Sequence, residues 1–390
     1  MFKSKRIFAL ALTFSLILCV VSFSTLAAEP VKLVIDGKTI ACEVPPDLEN
    51  GTTFVPIRVV TETLGAEVDY DSATRNVTVK TSLHVLIFTI GSKDYTVNGV
   101  KKTLLAAPRL KDNRTMMPIR ALSESIGATV GYVESTRTAT VDYFSKMTGS
   151  LKISGSTTVQ PIATAAAEAL KAMSSGLAID VAGGGSGAGI NEATEGSVNI
   201  GMSSSALKPE QAEALSKFVI AYDGVAIIVN NDNPVKNLSK EQAQKVFTGE
   251  IKNWKDVGGN DAPILVQTRE TGSGTLATLE DLLLGKGVEV VGSATPHNST
   301  ALLQQEVAKS KNAIGFISSG YVDGTIKALT IGNIAPTMAN IKSNTYPICR
   351  ELILVTKGAP GALAATYIDY LRSEAGQSIV AKEKYIRIDE

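Results

Sequence analysis

Serine, threonine and glycine residues cluster in four short segments beyond residue 150, each directly after a run of apolar residues. The segments are residues 154–159, 183–189, 200–205 and 269–275. Glycine lets the backbone approach a ligand closely, and the first amides of a following helix have no partner within that helix. Arg269 adds a fixed positive charge. These segments therefore predict a site for an oxyanion.

Each segment alone is a weak signal, because serine and threonine are common helix N-caps. The surrounding pattern strengthens it, since apolar strands and amphipathic helices alternate from residue 148 onwards. We predict strands at 151–153, 178–182, 198–200, 218–222, 225–229, 264–267, 313–317 and 352–356, and helices at 160–173, 190–195, 240–247, 276–284, 300–308 and 362–380. Ligands collect at the carboxyl ends of parallel strands, so the four segments should converge in an α/β domain of two lobes.

The composition limits the possible partners. The chain has 390 residues, of which 44% are hydrophobic and 19% are charged, so it should form several globular domains. Thirty-eight basic residues balance thirty-eight acidic ones, which argues against nucleic acid as a partner. The two histidines, His84 and His297, are isolated, so we predict neither a metal site nor a cofactor.

The first 28 residues have the pattern of a secretory signal peptide. Lys3, Lys5 and Arg6 precede an apolar stretch at 7–21, and small residues follow. We therefore predict a secreted, extracytoplasmic protein, with an uncleaved membrane anchor as the alternative. Cleavage would leave Cys42 and Cys349, whose pairing in a disulfide the sequence neither supports nor excludes.

Residues 31–145 contain an ungapped internal repeat, which predicts a duplicated small α+β domain. Ile35-Asp36-Gly37 recurs as Val97-Asn98-Gly99, Pro46 as Pro108, Pro56-Ile57-Arg58 as Pro118-Ile119-Arg120, and Leu64-Gly65-Ala66 as Ile126-Gly127-Ala128. Each copy should contain a hairpin, a helix at 59–64 or 121–126, and a second hairpin.

This segment resembles the copper amine oxidase N-terminal-like domain through the pattern at 50–58 and the Leu-Gly-Ala that follows. The resemblance implies no oxidase chemistry, because the chain has no set of copper-binding histidines. Arg58 and Arg120 either contact a cell-wall component, which would place the protein at the cell surface, or tie each helix to its sheet.

Residues 148–390 resemble the phosphate-binding protein of ABC-type phosphate importers. The motifs lie at 154–161, 183–190, 200–204, 223–226, 247–249 with Trp254, 269–275 and 346–350. The family implies a two-lobed periplasmic-binding-protein fold of type II that captures inorganic phosphate and delivers it to permease subunits. The first lobe would comprise about 148–224 and 352–390, the second about 228–346, with crossovers near 223–230 and 346–356.

The resemblance also implies which residues bind phosphate. By motif position they are Thr157, Thr158, Ser186, Arg269, Ser273, Gly274 and Thr275, and we add Ser156, Ser204 and Asp223 as further candidates. Many family members have an aspartate where this chain has Ser204, and it accepts the phosphate proton; Asp223 is the nearest motif acid able to replace it. The family's acid that orients the arginine is also missing, since Thr271 stands there; Glu270 is a candidate for this role, although it is adjacent rather than equivalent.

Other functions remain open at this point. The same fold would suit another oxyanion, such as sulfate, molybdate or tungstate, and a surface phosphate sensor or adhesin is compatible with either ligand. An enzyme would need a metal cluster or an activated nucleophile, and neither Ser156 nor Ser273 has a histidine partner in its motif. We therefore predict a binding protein rather than an enzyme.

Overall fold

The structure is a computed structural model that describes residues 29–389, so the predicted signal peptide at 1–28 lies outside the described residues. Within residues 29–389, no helix is long and apolar enough to cross a bilayer. We keep the division predicted from the sequence and call residues 31–145 the N-terminal domain and residues 148–389 the C-terminal domain.

The N-terminal domain repeats its elements with the offset seen in the sequence. Its elements are β1 Lys32–Ile35, β2 Lys38–Ile40, β3 Asp47–Glu49, β4 Thr52–Pro56, α1 Ile57–Thr63, β5 Glu67–Asp71, β6 Asn76–Lys80, β7 Val85–Thr89, β8 Asp94–Val97, β9 Val100–Thr103, β10 Arg109–Lys111, β11 Arg114–Pro118, α2 Ile119–Ser125, β12 Thr129–Val133 and β13 Thr138–Asp142. Strands β1 to β6 recur as β8 to β13, and β7 lies between the two sets in the chain.

The two copies are joined by strand pairing rather than lying side by side. The first strand, β1, pairs in parallel with the last strand, β13, and β4 pairs with its own counterpart β11. The strand β7 inserts between β6 and β8. Both copies therefore contribute to shared sheets, and neither copy is an independent unit.

The C-terminal domain alternates strands and helices, as predicted. Its elements are β14 Gly149–Gly155, α3 Gln160–Met173, β15 Leu177–Gly183, α4 Ser186–Glu195, β16 Ile200–Ser203, α5 Pro209–Ala214, β17 Leu215–Asn230, β18 Asn237–Leu238, α6 Lys240–Phe247, β19 Leu265–Arg269, α7 Gly274–Leu279, β20 Thr295–His297, α8 Thr300–Lys309, β21 Ala313–Ser318, β22 Ile326–Ala328, β23 Thr330–Ile331, α9 Met338–Lys342, β24 Cys349–Lys357, α10 Ala362–Arg372 and α11 Glu374–Lys382. A π-helical turn at Glu280–Leu284 continues α7.

One continuous path of strands links the two lobes, in the order β15-β14-β16-β24-β17-β21-β19-β20. We call the part around β14–β16, with α3, α4, α10 and α11, the first lobe, and the part around β19–β21, with α6–α8, the second lobe. The long strand β17 pairs with β24 up to Gly224 and with β21 from Val225 onwards. The chain therefore passes from one lobe to the other within β17.

The structure divides three predicted elements differently, two strands and one helix. The strands predicted at 218–222 and 225–229 form one strand, because Gly224 does not turn the chain. A Cβ at this position would lie 2.7 Å from the side chain of Ile341, so the glycine is required for close packing. The helix predicted at 362–380 is two helices, since Ser373 ends α10 and caps α11 by accepting from the Gly376 amide.

The N-terminal domain is packed against the first lobe through α10. Asp369 accepts hydrogen bonds from the amide of Ser82 at 2.8 Å and from the hydroxyl of Tyr143 at 3.2 Å. The ring of Phe144 meets Tyr370 edge-on at 5.1 Å. One apolar cluster of buried side chains runs through the N-terminal domain and the first lobe without interruption. The two parts therefore share a core.

We expect Asp369→Asn to stabilise the protein at neutral pH. Burial raises the pKa of Asp369 from 3.8 to about 6. Protonated Asp369 therefore stabilises the folded protein. Its contribution to the free energy of unfolding is complete below about pH 4 and is lost as the pH rises through 6. An asparagine can accept from Ser82 and donate to Tyr143 without a charge, and a pKa difference of about 2 corresponds to up to about 3 kcal/mol.

The measurement is denaturant unfolding of the wild type and Asp369→Asn at pH 4 and pH 7. The stability difference should be small at pH 4 and should favour the variant at pH 7. Asp69→Asn is the control because Asp69 is an exposed carboxylate of the N-terminal domain, which packs against Asp369. The same difference at both pH values would show that ionisation of Asp369 does not oppose folding.

Candidate functional site

The structure brings the four hydroxyl-rich segments together where the lobes meet. They follow β14, β15, β16 and β19, so they lie at the carboxyl ends of these strands. Their central side chains have at most 3% of their surface exposed, and these are Ser156, Thr158, Ser186, Ser204, Arg269, Ser273 and Thr275. The candidate site is therefore enclosed between the lobes.

Direct contacts between the lobes close this site. The Thr158 hydroxyl of the first lobe lies 3.2 Å from the Thr275 hydroxyl of the second. The amide of Gly187 donates to the carbonyl of Gly272 at 2.8 Å. A Cβ on Gly274 would lie 2.7 Å from the Ser204 hydroxyl and would overlap the Ser186 hydroxyl. Only glycine at position 274 permits this approach of the lobes.

The hydroxyl groups of the site are arranged as hydrogen-bond donors. Several of them accept from an N–H group, which can only donate, so each keeps its own proton for another acceptor. The amide of Thr158 donates to the Ser156 hydroxyl, that of Ser204 to Ser186 and that of Leu276 to Ser273. The guanidinium of Arg269 donates to the hydroxyls of Thr157 and Thr300, and that of Arg350 to Thr275. This is a pattern suited to a ligand whose atoms are acceptors.

Arg269 is fixed in place by an adjacent carboxylate. Its Nε and Nη2 donate to the two oxygens of Glu270, both at 3.0 Å. Nε also donates to the His297 carbonyl, Nη2 to the Thr157 hydroxyl and Nη1 to the Thr300 hydroxyl. Glu270 thus takes the orienting role that Thr271 cannot. The arginine side chain is 2% exposed, so its charge acts in a poorly solvated environment.

The structure does not support Asp223 as the acceptor of a phosphate proton. One of its oxygens accepts from Arg350 Nε at 2.9 Å and Nη2 at 2.7 Å. The other accepts from the Ser318 hydroxyl and from the amide and hydroxyl of Ser319. Two carboxylate oxygens have about four lone-pair sites, and five donors already engage them. The prediction missed this because it omitted the ion pair with Arg350.

Four residues of this region were missed by the sequence analysis. Arg350 lay in a quoted motif but had no assigned role, and Thr300 was recognised only as the start of a helix. Tyr321 donates to the Thr157 carbonyl, and Tyr385 to the Thr158 carbonyl, each at 3.0 Å. The two tyrosines stand in no motif, so only the folded structure reveals that they hold the backbone of the first segment.

Other candidate chemistry finds little support in the described part of the chain. Residues 29–389 contain no group of three or more histidine, cysteine, aspartate or glutamate side chains arranged to hold a metal ion. Cys42 and Cys349 are both free thiols, so the disulfide left open by the sequence does not form in this structure. Burial raises the pKa of the Cys349 thiol to about 11, which disfavours its reactive thiolate.

Comparison with known proteins agrees with the two-domain architecture. The model of the PBP superfamily domain matches residues 133–375, and that of the copper amine oxidase N-terminal domain matches residues 34–141. The phosphate-binding protein PstS of Bacillus subtilis is 38% identical over 248 residues, which cover 62% of this chain and 82% of that protein. The chain belongs to the PstS family of phosphate-binding proteins.

Solved structures of this family confirm the predicted type II periplasmic-binding-protein fold. A Clostridium perfringens protein described as a phosphate ABC transporter substrate-binding protein, solved with bound phosphate, is 39% identical with a TM-score of 0.60. The match covers 62% of this chain and all (100%) of that one. An ABC-type phosphate transport receptor from Vibrio cholerae is 36% identical with a TM-score of 0.54, over 60% and 99% of the two chains. These relatives are binding proteins rather than enzymes.

Proposed function

We propose that this protein binds inorganic phosphate between its two lobes and delivers it to the permease subunits of an ABC-type importer. The observation that carries the proposal is the set of buried hydroxyls whose acceptor sides are filled by N–H groups, together with Arg269. Such an enclosed set of donors replaces the hydration of an anion, whose oxygens are all strong acceptors. The relative from Clostridium perfringens, which has bound phosphate, supports this ligand.

The proposed contacts come from both lobes. The first lobe would supply Ser156, Thr157, Thr158, Ser186 and Ser204, and the second Arg269, Ser273, Gly274 and Thr275. Asp223 would act indirectly, by holding Arg350. Ser204 is our candidate for the acceptor of the phosphate proton, because its hydroxyl lies 3.0 Å from Ser156 and 3.3 Å from Ser186 and accepts as well as donates.

No bond is made or broken in this mechanism. The anion enters an open form, the lobes close over it, and the closed form is the one that the importer recognises. The two carboxylates nearest the donors, Glu270 and Asp223, are each paired with an arginine, so neither repels a bound anion with its full charge. Closure then removes water and strengthens each hydrogen bond to the anion.

The alternative ligand is another oxyanion such as sulfate, and calorimetric titration at neutral pH separates the two. We expect the mature protein, stripped of ligand by unfolding and refolding, to bind one phosphate tightly and to give little heat with sulfate. Sulfate binding without phosphate binding would retain the fold but overturn the ligand. No heat with either anion would reject the proposed function itself.

We propose, in addition, that the protein acts outside the cytoplasm and that the N-terminal domain contacts a cell-wall component. The signal-peptide pattern and the kinship with PstS support the first part. Arg58 and Arg120 support the second: both are 62% exposed, and among residues 29–389 their ion pairs are with Glu62 and Glu124 on the same helices. These contacts favour a free surface over the alternative that the arginines tie each helix to its sheet.

Each copy of the N-terminal domain also has an exposed tyrosine, at equivalent positions. Tyr70 is 43% exposed and Tyr132 is 36% exposed.

Cell fractionation of the wild type and of an Arg58→Ala, Arg120→Ala double variant tests the contact, because both substitutions lie on the surface and spare the shared core. Release of the variant from the wall fraction is expected. Equal retention of both proteins would reject the role of these arginines.

A further inference from the structure

The buried ion pair between Arg350 and Asp223 lies at the point where the chain changes lobes. In the pairing of β17 with β24, Asp223 stands opposite Arg350 and Gly224 opposite Cys349, and the next residue of β17, Val225, already pairs with β21. The side chains of Arg350 and Asp223 are 4% and 0% exposed. A charged pair so deeply buried, at a hinge, requires an explanation beyond stability, because its desolvation offsets much of its attraction.

The carboxylate of this pair is held by the second lobe. Ser318 and Ser319, at the end of β21, together give Asp223 three hydrogen bonds, and the Ser318 hydroxyl lies 2.9 Å from the carboxylate. Arg350 binds the other oxygen of Asp223 through Nε and Nη2. The orientation of the guanidinium is therefore set by the hinge and the second lobe.

The third nitrogen of the guanidinium reaches both lobes at once. Arg350 Nη1 donates to the Ser204 carbonyl of the first lobe at 3.2 Å and to the Thr275 hydroxyl of the second lobe at 3.0 Å. The same Ser204 carbonyl accepts from Thr278 of the second lobe at 3.2 Å. When the lobes separate, Ser204 moves away from Thr275, so one nitrogen cannot keep both acceptors. This pair of contacts therefore requires the lobes to lie together as they do in this structure.

Arg350 also determines the direction of the Thr275 hydroxyl. Because the guanidinium can only donate, Thr275 Oγ1 accepts from it and its own proton points to another acceptor. The neighbouring hydroxyl in the structure is Thr158 Oγ1, at 3.2 Å across the lobe boundary. The arginine thus orients one donor of the site without lining the group of hydroxyls itself.

We propose that Arg350 is a positioning residue that latches the closed form and thereby sets how long the bound anion is retained. The inference rests on the proposed function, since it concerns release of the same anion. Contacts that exist only after closure contribute to the dissociation rate, whereas the encounter of the anion with the open form does not involve them. Arg350 should therefore control release far more than capture.

The test is stopped-flow measurement of phosphate binding and release by the full mature protein and by Arg350→Lys. Lysine keeps a positive charge beside Asp223 but lacks the planar group that spans Ser204 and Thr275. We expect release to accelerate about tenfold or more, and the association rate to change less than about threefold, as the loss of charge-assisted hydrogen bonds predicts. The stability of the ligand-free protein is measured alongside.

The matched control is Glu351→Gln. Glu351 forms an exposed ion pair with Lys217 across the same two strands, 2.5 Å apart, and both side chains are 42% exposed. Its replacement should leave both rates unchanged. If Arg350→Lys fails to fold, Asp223→Asn serves instead, because it retains the arginine and removes the charge that orients it. This variant should also accelerate release of the anion.

The outcomes distinguish the latch from the proposed function. A wild type that binds phosphate, with unchanged release in Arg350→Lys or in its substitute, would overturn the latch and leave the function intact. If Arg350→Lys slowed association by the same factor as it accelerated release, the latch would also be overturned, because Arg350 would then act in the capture of the anion. A wild type that does not bind phosphate would instead reject the proposed function.

Discussion

Arg269→Ala is expected to weaken phosphate binding by about a hundredfold or more. Arg269 is the one guanidinium among the proposed anion contacts, and truncating a buried, hydrogen-bonded charge costs about 2–5 kcal/mol in binding. The substitution also frees the two Glu270 oxygens that now bind the arginine, at 3.0 Å each. An unpaired carboxylate then lies beside the anion, so repulsion adds to the lost attraction.

Calorimetric titration of three proteins checks this expectation. Arg58→Ala removes an exposed arginine of the N-terminal domain and should bind phosphate like the wild type. An Arg269→Ala, Glu270→Gln double variant should recover part of the affinity lost by Arg269→Ala, because it removes the freed charge. Equal losses in Arg269→Ala and Arg58→Ala would show that the site does not lie between the lobes.

Gly274→Ala should produce a loss of similar size by preventing full closure. The added Cβ would overlap the Ser186 hydroxyl and lie 2.7 Å from the Ser204 hydroxyl, both of them in the opposite lobe. Real Cβ atoms do not approach other heavy atoms so closely, so the lobes must remain apart or shift the two serines. Either change separates donors that must act together, and we expect phosphate affinity to fall about a hundredfold.

The control for this substitution is Gly292→Ala, since a Cβ at Gly292 would have no heavy atom within 4 Å. Small-angle scattering with saturating phosphate should show compaction of the wild type and of Gly292→Ala but not of Gly274→Ala. The ligand-free proteins should unfold at similar temperatures, because the overlap arises only on closure. Wild-type affinity in Gly274→Ala would mean that closure does not require this approach of the two lobes.

Local patterns in the sequence predicted a large part of the fold. The repeat specified matching elements in both copies, and the helix predicted at 240–247 is α6, whose N-cap Ser239 accepts from the Gln242 amide. Helix α3 has the predicted bounds, residues 160–173. These features depend on residues close together in the chain, and their physical causes are visible in a short window of sequence.

Long-range pairing accounts for what the sequence did not predict. The partner of Asp223 is Arg350, which is distant in sequence and stands opposite it only through the register of β17 with β24. The hydrogen bond from Tyr321 to the Thr157 carbonyl likewise joins elements of different lobes. Glu270 was considered for the orienting role because it lies next to Arg269, but its bidentate geometry depends on the fold of the turn.

The shared core also decides which part of the molecule moves. The N-terminal domain is joined to the first lobe through Asp369 and Tyr370 of α10, so the two behave mechanically as one body. If that body is anchored to the cell wall, the first lobe stays fixed and the second lobe moves when the site closes. Each capture of an anion would then move only the second lobe, and an importer would face a first lobe of constant orientation.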